Sequence, residues 1–197
     1  VDSVERFEGL GVNVIQAPAR FLSSGTVDAG GTTVKARRFV IATGSSAAVP
    51  PIPGLDSVPY LTNETVFDLK EAPEHLIVIG GGPIGMELAQ AHRRLGAKVT
   101  VLEGMKALGK DDPELTALVL DVIHEDGIEL REGASVTRVS GSAGHISVTF
   151  KTENGEESVA GSHLLLAVGR RPNLDGLDLE NAGVAYERTG IKVDARL

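Results

Sequence analysis

The chain has 197 residues, 42% hydrophobic and 23% charged, enough to bury a core and unlike a disordered tail. Its formal net charge of −8 argues against nucleic acid or an anionic membrane surface as a partner, and no apolar run approaches the roughly 20 residues that span a bilayer. Cysteine is absent, which excludes disulfides, thiolate nucleophiles and Cys-ligated metals within this chain.

The opening "VDSVERFEGLG" lacks a methionine and any basic-then-apolar leader, and "IKVDARL" closes in a strand pattern. The expectation is a piece of a longer, soluble, cytoplasmic protein. Residues 12 to 41 alternate apolar runs with turn signals: "VNVIQ", "ARFLSSGTV" and "TTVKARRFVIATG". The intervening "DAGGTT" predicts a tight hairpin, so this region reads as an antiparallel meander leading into a buried strand, "RFVIATG". "SSAAVPPIPGLDSVP" is too proline-rich to be regular and reads as a linker or crossing loop.

From Leu76 the pattern becomes strand and helix in alternation. "HLIVIGG" is an all-apolar strand of the kind buried in parallel sheets. Ile84, Leu88, Ala91 and Leu95 then recur at helical spacing, with Pro83 placed early, where its missing N–H costs nothing. "AKVTVLE" is the next strand, and "DDPELTALVLDVIHEDG" the next helix, with Asp112 as N-cap, Pro113 first and Gly127 as the stop. Residues 128 to 169 read as strands with a hairpin and a final buried strand. The order implies α/β with a central parallel sheet.

Gly80, Gly82 and Gly85 form G-x-G-x-x-G between that apolar strand and that helix. The first glycine allows a sharp turn, the second lets backbone approach a pyrophosphate, and the third lets helix pack on strand. Glu103 ends "VTVLE", 18 positions after Gly85, close to where a carboxylate meets a ribose 2′-OH. A carboxylate there accepts hydrogen bonds from NAD and repels the 2′-phosphate of NADP. No arginine follows closely, and Lys106 and Lys110 are the nearest cations. The reading is NAD(H). Glu87 sits in the first turns of the helix, where the macrodipole alone favours an acid. The five histidines (His75, His92, His124, His145, His163) fit no metal or acid–base spacing, and no metal is expected.

"FVIATGS" (39 to 45), "IVIGGGPIGMELA" (77 to 89), "LLLAVGRRPN" (164 to 173) and "GLDLENAGVAYERTGIKVD" (176 to 194) together resemble the flavoprotein pyridine nucleotide-disulfide oxidoreductase family, in its dihydrolipoamide dehydrogenase and mercuric reductase branch. The resemblance implies a three-layer β/β/α Rossmann-like NAD(P)-binding domain inserted in part of a similar FAD-binding domain. Residues 1–60 would be the rear of the FAD domain, 61–72 a linker, 73–169 the inserted NAD domain and 170–197 a truncated return into the FAD domain. It further implies that Gly80, Gly81, Gly82, Pro83, Ile84, Gly85, Glu87 and Glu103 hold NAD, with Val136 beside the adenine and Gly169 on the nicotinamide side. Ala19, Thr43, Gly44 and Ser45 would lie against FAD. Glu87 would support the flavin–nicotinamide junction and is the single catalytic candidate, while Arg170 and Arg171 at most help position cofactor or domain.

The family's first FAD loop, redox cysteines and dimer domain have no counterpart in these residues, so the FAD site here is incomplete. The resemblance implies a parent that passes hydride between nicotinamide and flavin and on to a disulfide or similar small-molecule acceptor, as a homodimer. Two other readings stay open: an NADH oxidase or ferredoxin reductase type without redox cysteines, or, for this chain alone, a non-catalytic NAD-binding module.

Overall fold

The structure is a computed structural model and describes residues 3–195; Arg196 and Leu197, the end of the strand pattern expected at "IKVDARL", lie outside the described residues. The chain forms two units: Ala47–Arg170 is one, and the residues before Ala47 together with those from Arg171 are the other.

A short helix, α1 (Val4–Gly9), starts where the Ser3 hydroxyl accepts the Arg6 N–H at 3.3 Å. Strands β1 (Ala19–Ser23), β2 (Thr26–Ala29) and β3 (Thr32–Lys35) follow as an antiparallel meander. Its second turn is the expected two-residue glycine hairpin, with Ala29 paired to Thr32. Phe21 on β1 is buried and meets Phe39 edge-on, ring centroids 5.4 Å apart. Its N–H donates to Leu177 O and its carbonyl accepts from Asn181 Nδ2, beside the buried Leu179.

The segment "RFVIATG" departs from expectation. It is not a strand, and Val40 is 90% exposed. An apolar run becomes a buried strand only when neighbouring strands satisfy its N–H and C=O groups, and no described strand pairs with residues 39 to 43. "VNVIQ" is likewise irregular. Strand β4 (Ser45–Ala47) then leads into the Ala47–Arg170 unit.

That unit is built on β5 (His75–Ile79), whose five residues are all buried. Helix α2 (Pro83–Arg94), β6 (Lys98–Leu102), α3 (Pro113–Glu125) and β7 (Glu129–Arg131) follow. Next come the long hairpins β8 (Ser135–Ser142), β9 (His145–Thr152) and β10 (Gly155–Gly161), then β11 (His163–Leu166). The parallel sheet has the order β11-β5-β6-β7, and β10-β9-β8 forms a separate antiparallel sheet.

The alternation along β5 explains the layering. Leu76 and Val78 face the helices, packing with Met86, Leu88, Ala89 and Ile123, while Ile77 and Ile79 face the antiparallel sheet, packing with Val139, Ile146, Val148 and Phe150. Each such fully buried aliphatic side chain contributes roughly 1.5–3 kcal/mol. The result is the expected β/β/α sandwich.

Both helices start as predicted, and α3 stops as predicted. Asp112 accepts the N–H groups of Glu114 and Leu115, Pro83 and Pro113 stand at their first turns, and Gly127 follows α3 with φ of 78°. The buried stripe of α2 differs, however. Gly85, Met86, Leu88 and Ala89 face the sheet, whereas Ala91 is exposed and Leu95 is 73% exposed. Small residues let the first turns approach the sheet closely, and that contact, rather than the widest apolar spacing, sets the rotation of the helix. The proline-rich segment departs from the expected irregular loop at its start, where Ser45–Ala47 forms β4, and at a single 3-10 turn over Leu55–Ser57. That turn and the residue after it add Leu55 and Val58 to the core beneath the antiparallel sheet. Beyond β12 (Arg170–Pro172), the chain closes with a small hairpin, β13 (Tyr186–Glu187) and β14 (Gly190–Ile191).

Candidate functional site

The chemistry-bearing residues of the Ala47–Arg170 unit gather where β5 and β6 end. Gly80 leaves β5 with φ of 109°, and its N–H donates to Leu102 O at 2.9 Å. A Cβ there would lie 2.4 Å from Ala167 O, so glycine is required. A Cβ on Gly85 would lie 2.0 Å from Gly80 O: helix and strand touch backbone to backbone. Gly82 is different. It is the N-cap of α2 with an ordinary φ of −76°, and a Cβ there would meet nothing within 4 Å. The free N–H groups at the start of α2 therefore border open space, with the positive end of the helix dipole behind them.

Glu103 follows β6 directly. Its Oε2 accepts the Gly81 N–H at 2.7 Å and its Oε1 accepts the Met105 N–H at 2.9 Å. Leu108 N–H donates to Gly81 O at 2.9 Å, so the loop after β6 is tied to the glycine turn by both backbone and side chain. These elements bound a cleft of about 760 Å³, lined by Gly80, Gly82, Pro83, Ile84, Glu103 and Val136 among others. Gly169, with φ of 114°, lines it as well. The bulge between Val136 and Arg138 lies at this edge of β8.

Glu87 does not line the cleft; it is exposed on α2. Lys106 and Lys110 lie on the rim. Sequence reasoning gave no role to Glu132, in the loop between β7 and β8. Its carboxylate accepts from Lys106 Nζ at 2.7 Å and from Ala107 N–H at 2.8 Å. The Lys106 ammonium holds the Glu132 carboxyl below the usual carboxylate range. No periodicity marks a loop residue of this kind, so nothing in the sequence singles it out.

A second polar group sits at the other end of the sheet. His75 is buried, its Nε2 lies 2.9 Å from Thr100 Oγ1, and that hydroxyl donates to Glu129 at 3.1 Å. Burial, reinforced by Lys98, lowers the His75 pKa from 6.5. His92 Nδ1 contacts Leu88 O, His163 Nδ1 contacts Ser162 Oγ, and His124 and His145 are exposed. Among the described residues no group of three His, Cys, Asp or Glu could hold a metal ion.

In the other unit, Thr43 and Gly44, which precede Ser45 at the start of β4, are held by Asn173, a second residue that was given no role. Thr43 Oγ1 donates to Asn173 O at 2.6 Å, Asn173 N–H donates to Gly44 O at 3.0 Å, and Asn173 Nδ2 donates to Thr43 O at 3.1 Å. Gly44 has φ of 68°, and a Cβ there would meet nothing within 4 Å. Ala19 is exposed at the start of β1. Arg171 pairs with Asp175, and Arg170 lies 3.9 Å from Glu64.

The family model described as pyridine nucleotide-disulphide oxidoreductase matches residues 2–197. The chain belongs to that family. Mercuric reductase of Lysinibacillus sphaericus is 42% identical over 87% of this chain and 32% of its own length. Dihydrolipoyl dehydrogenase of Thermus scotoductus is 35% identical over 96% of this chain and 42% of its own length. The HOCl-induced flavoprotein disulfide reductase RclA from Escherichia coli superimposes with a TM-score of 0.85 at 31% identity, covering 98% of this chain and 45% of that one. The chain thus spans less than half the length of these relatives in the pyridine nucleotide-disulphide oxidoreductase family.

Proposed function

We propose that the Ala47–Arg170 unit binds NAD(H) in the cleft between the glycine turn and Glu103. The observation that carries this reading is the 2.7 Å bond from Gly81 N–H to Glu103. It puts a carboxylate beside a glycine turn that is open at Gly82, which supports reading that carboxylate as the ribose acceptor. A cleft of about 760 Å³ suits an elongated dinucleotide. In this reading the N–H groups at the start of α2 receive the pyrophosphate, Glu103 receives the adenosine ribose hydroxyls, Val136 lies against the adenine and Gly169 borders the nicotinamide. Gly80, Gly81, Pro83, Ile84 and Gly85 shape the loop.

The second unit, through Ala19, Thr43, Gly44 and Ser45, forms part of an FAD site. The open approach at Gly44 fits a cofactor there, and the single glycine-rich phosphate loop, at Gly80–Gly85, supports reading that FAD site as partial. The cofactors bring the hydride chemistry, and this chain's residues bind, orient and shield them. The whole protein is then an FAD-dependent NAD(H) oxidoreductase delivering reducing equivalents to a disulfide or similar acceptor, cytoplasmic and homodimeric. Glu87 supports the flavin–nicotinamide junction of that protein. No helix among the described residues is long and apolar enough to cross a membrane. A second reading, a non-catalytic NAD-binding module, is favoured for the chain by itself because every residue lining the cleft falls within one unit.

Calorimetric titration with NADH and NADPH tests the proposal. Micromolar NADH binding, weaker NADPH binding and loss of that difference in Glu103→Ala are expected; no binding of either nucleotide overturns it. NADH turnover by the chain with added FAD and an electron acceptor would exclude the module reading.

A further inference from the structure

We propose that Glu132 is a positioning residue for nucleotide choice: it draws Lys106 away from the place a 2′-phosphate would occupy and so keeps the site selective for NAD(H). The proposal rests on reading the cleft as an NAD(H) site.

Lys106 lies three residues beyond Glu103, where a cation near the strand end accommodates the 2′-phosphate in NADP-binding sites. Its flexible four-carbon stem gives it reach. Lys106 lines both the nucleotide cleft and an adjoining hollow of about 650 Å³, whereas Glu132 lines the hollow alone. The 2.7 Å ion pair therefore points the ammonium out of the cleft.

The two partners are not equally free. Glu132 is anchored by the Ala107 N–H at 2.8 Å, and its side chain is 27% exposed. The Lys106 side chain is 80% exposed. The fixed carboxylate decides where the mobile ammonium rests. Arg131 is engaged by Glu129, and Lys110 and Asp111 bring opposite charges to the rim. With Lys106 held by Glu132, the Glu103 carboxylate dominates the field at the ribose end.

The pair holds the Lys106 pKa up and the Glu132 pKa down, so both are charged at neutral pH. Exposed ion pairs are weak, so the effect is a bias in affinity and not an absolute bar.

NADH and NADPH are titrated calorimetrically against the wild-type chain, E132Q, E132A and the double variant E132Q/K106A. E132Q keeps an oxygen for the Ala107 N–H and removes the charge. NADPH affinity is expected to rise about fivefold in E132Q while NADH affinity stays within about twofold, as befits one charge-assisted contact on an exposed rim. The gain should fade as salt is raised and vanish in E132Q/K106A. E132A, which also gives up the Ala107 bond, should share it. Wild-type NADH binding with unchanged NADPH affinity in E132Q and E132A overturns this proposal alone, as does a gain that survives K106A. A merely structural role for Glu132 would weaken both nucleotides alike, which also overturns it. A wild-type chain that binds neither nucleotide overturns the NAD(H) reading and this proposal with it.

Discussion

The Glu103 carboxylate accepts the Gly81 N–H at 2.7 Å, so the acidic end of one strand braces the glycine turn leaving its neighbour. The same carboxylate takes the Met105 N–H, and these two donors lose their acceptor in Glu103→Ala. Leaving a partly buried donor unpaired costs about 1–3 kcal/mol, so Tm should fall by roughly 3–8 °C. Amide exchange by NMR should quicken at Gly81 and Met105 first. Unchanged exchange at both positions would show that the brace is not formed in solution.

Gly82 and Gly85 stand three residues apart and should respond in opposite ways to alanine. In Gly85→Ala the new methyl meets Gly80 O at 2.0 Å, a backbone clash that forces helix and strand apart. Overpacking of that kind costs about 1–3 kcal/mol or more, and Tm should drop by more than about 5 °C. Gly82→Ala meets open space at an ordinary φ. Its Tm should stay within about 2 °C of wild type, while NADH affinity falls because the methyl occupies the pyrophosphate approach. Thermal melts with and without NADH read both effects.

His75 should make the chain acid-sensitive. Its pKa in the folded state is lowered, chiefly by burial and then by Lys98, against the opposing pull of Glu129, the Ala160 backbone and Glu74. A histidine kept neutral by the fold contributes stability that is complete above the unfolded value near 6.5 and is lost as pH falls below it toward the lowered folded value. Urea unfolding at pH 7.5, 6.5 and 5.5 should show that decline, and a His75→Gln chain should show a shallower one. Equal slopes in the two chains would remove His75 as the source.

Asn173 joins Thr43, Gly44 and Ser46 by side-chain and backbone bonds. Asn173→Ala removes the side-chain bonds to the Thr43 carbonyl and the Ser46 hydroxyl and keeps the backbone ones. A loss of about 1–2 kcal/mol is expected, together with faster proteolysis within residues 40–46. Limited proteolysis followed by mass spectrometry checks this.

Much of the Ala47–Arg170 unit was readable in the sequence because its signals are local. The apolar run at His75–Ile79, the glycine spacing, the Asp112 cap with Pro113 and the Gly127 stop each act through neighbours a few residues away. Backbone sterics and capping bonds need no distant partner, so those residues named their own structure.

Other features were decided by contacts far apart in the chain. "RFVIATG" has the composition of a buried strand and no described strand to pair with it, so it stays irregular. Helix α2 turned Leu95 outward because the backbone contact of Gly85 with Gly80 fixed its rotation. Leu55 became core because β8 passes over it, with Val139 N–H bonded to Pro53 O at 2.9 Å.

The site divides along the same line. Glycine spacing and the position of Glu103 were legible by themselves, since they follow from the geometry of one strand–turn–helix unit and the strand after it. The roles of Glu132 and Asn173 were not. Each acts on residues 25 or more positions away, Glu132 on Ala107 and Asn173 on Thr43, and only the folded chain brings those groups within hydrogen-bonding distance.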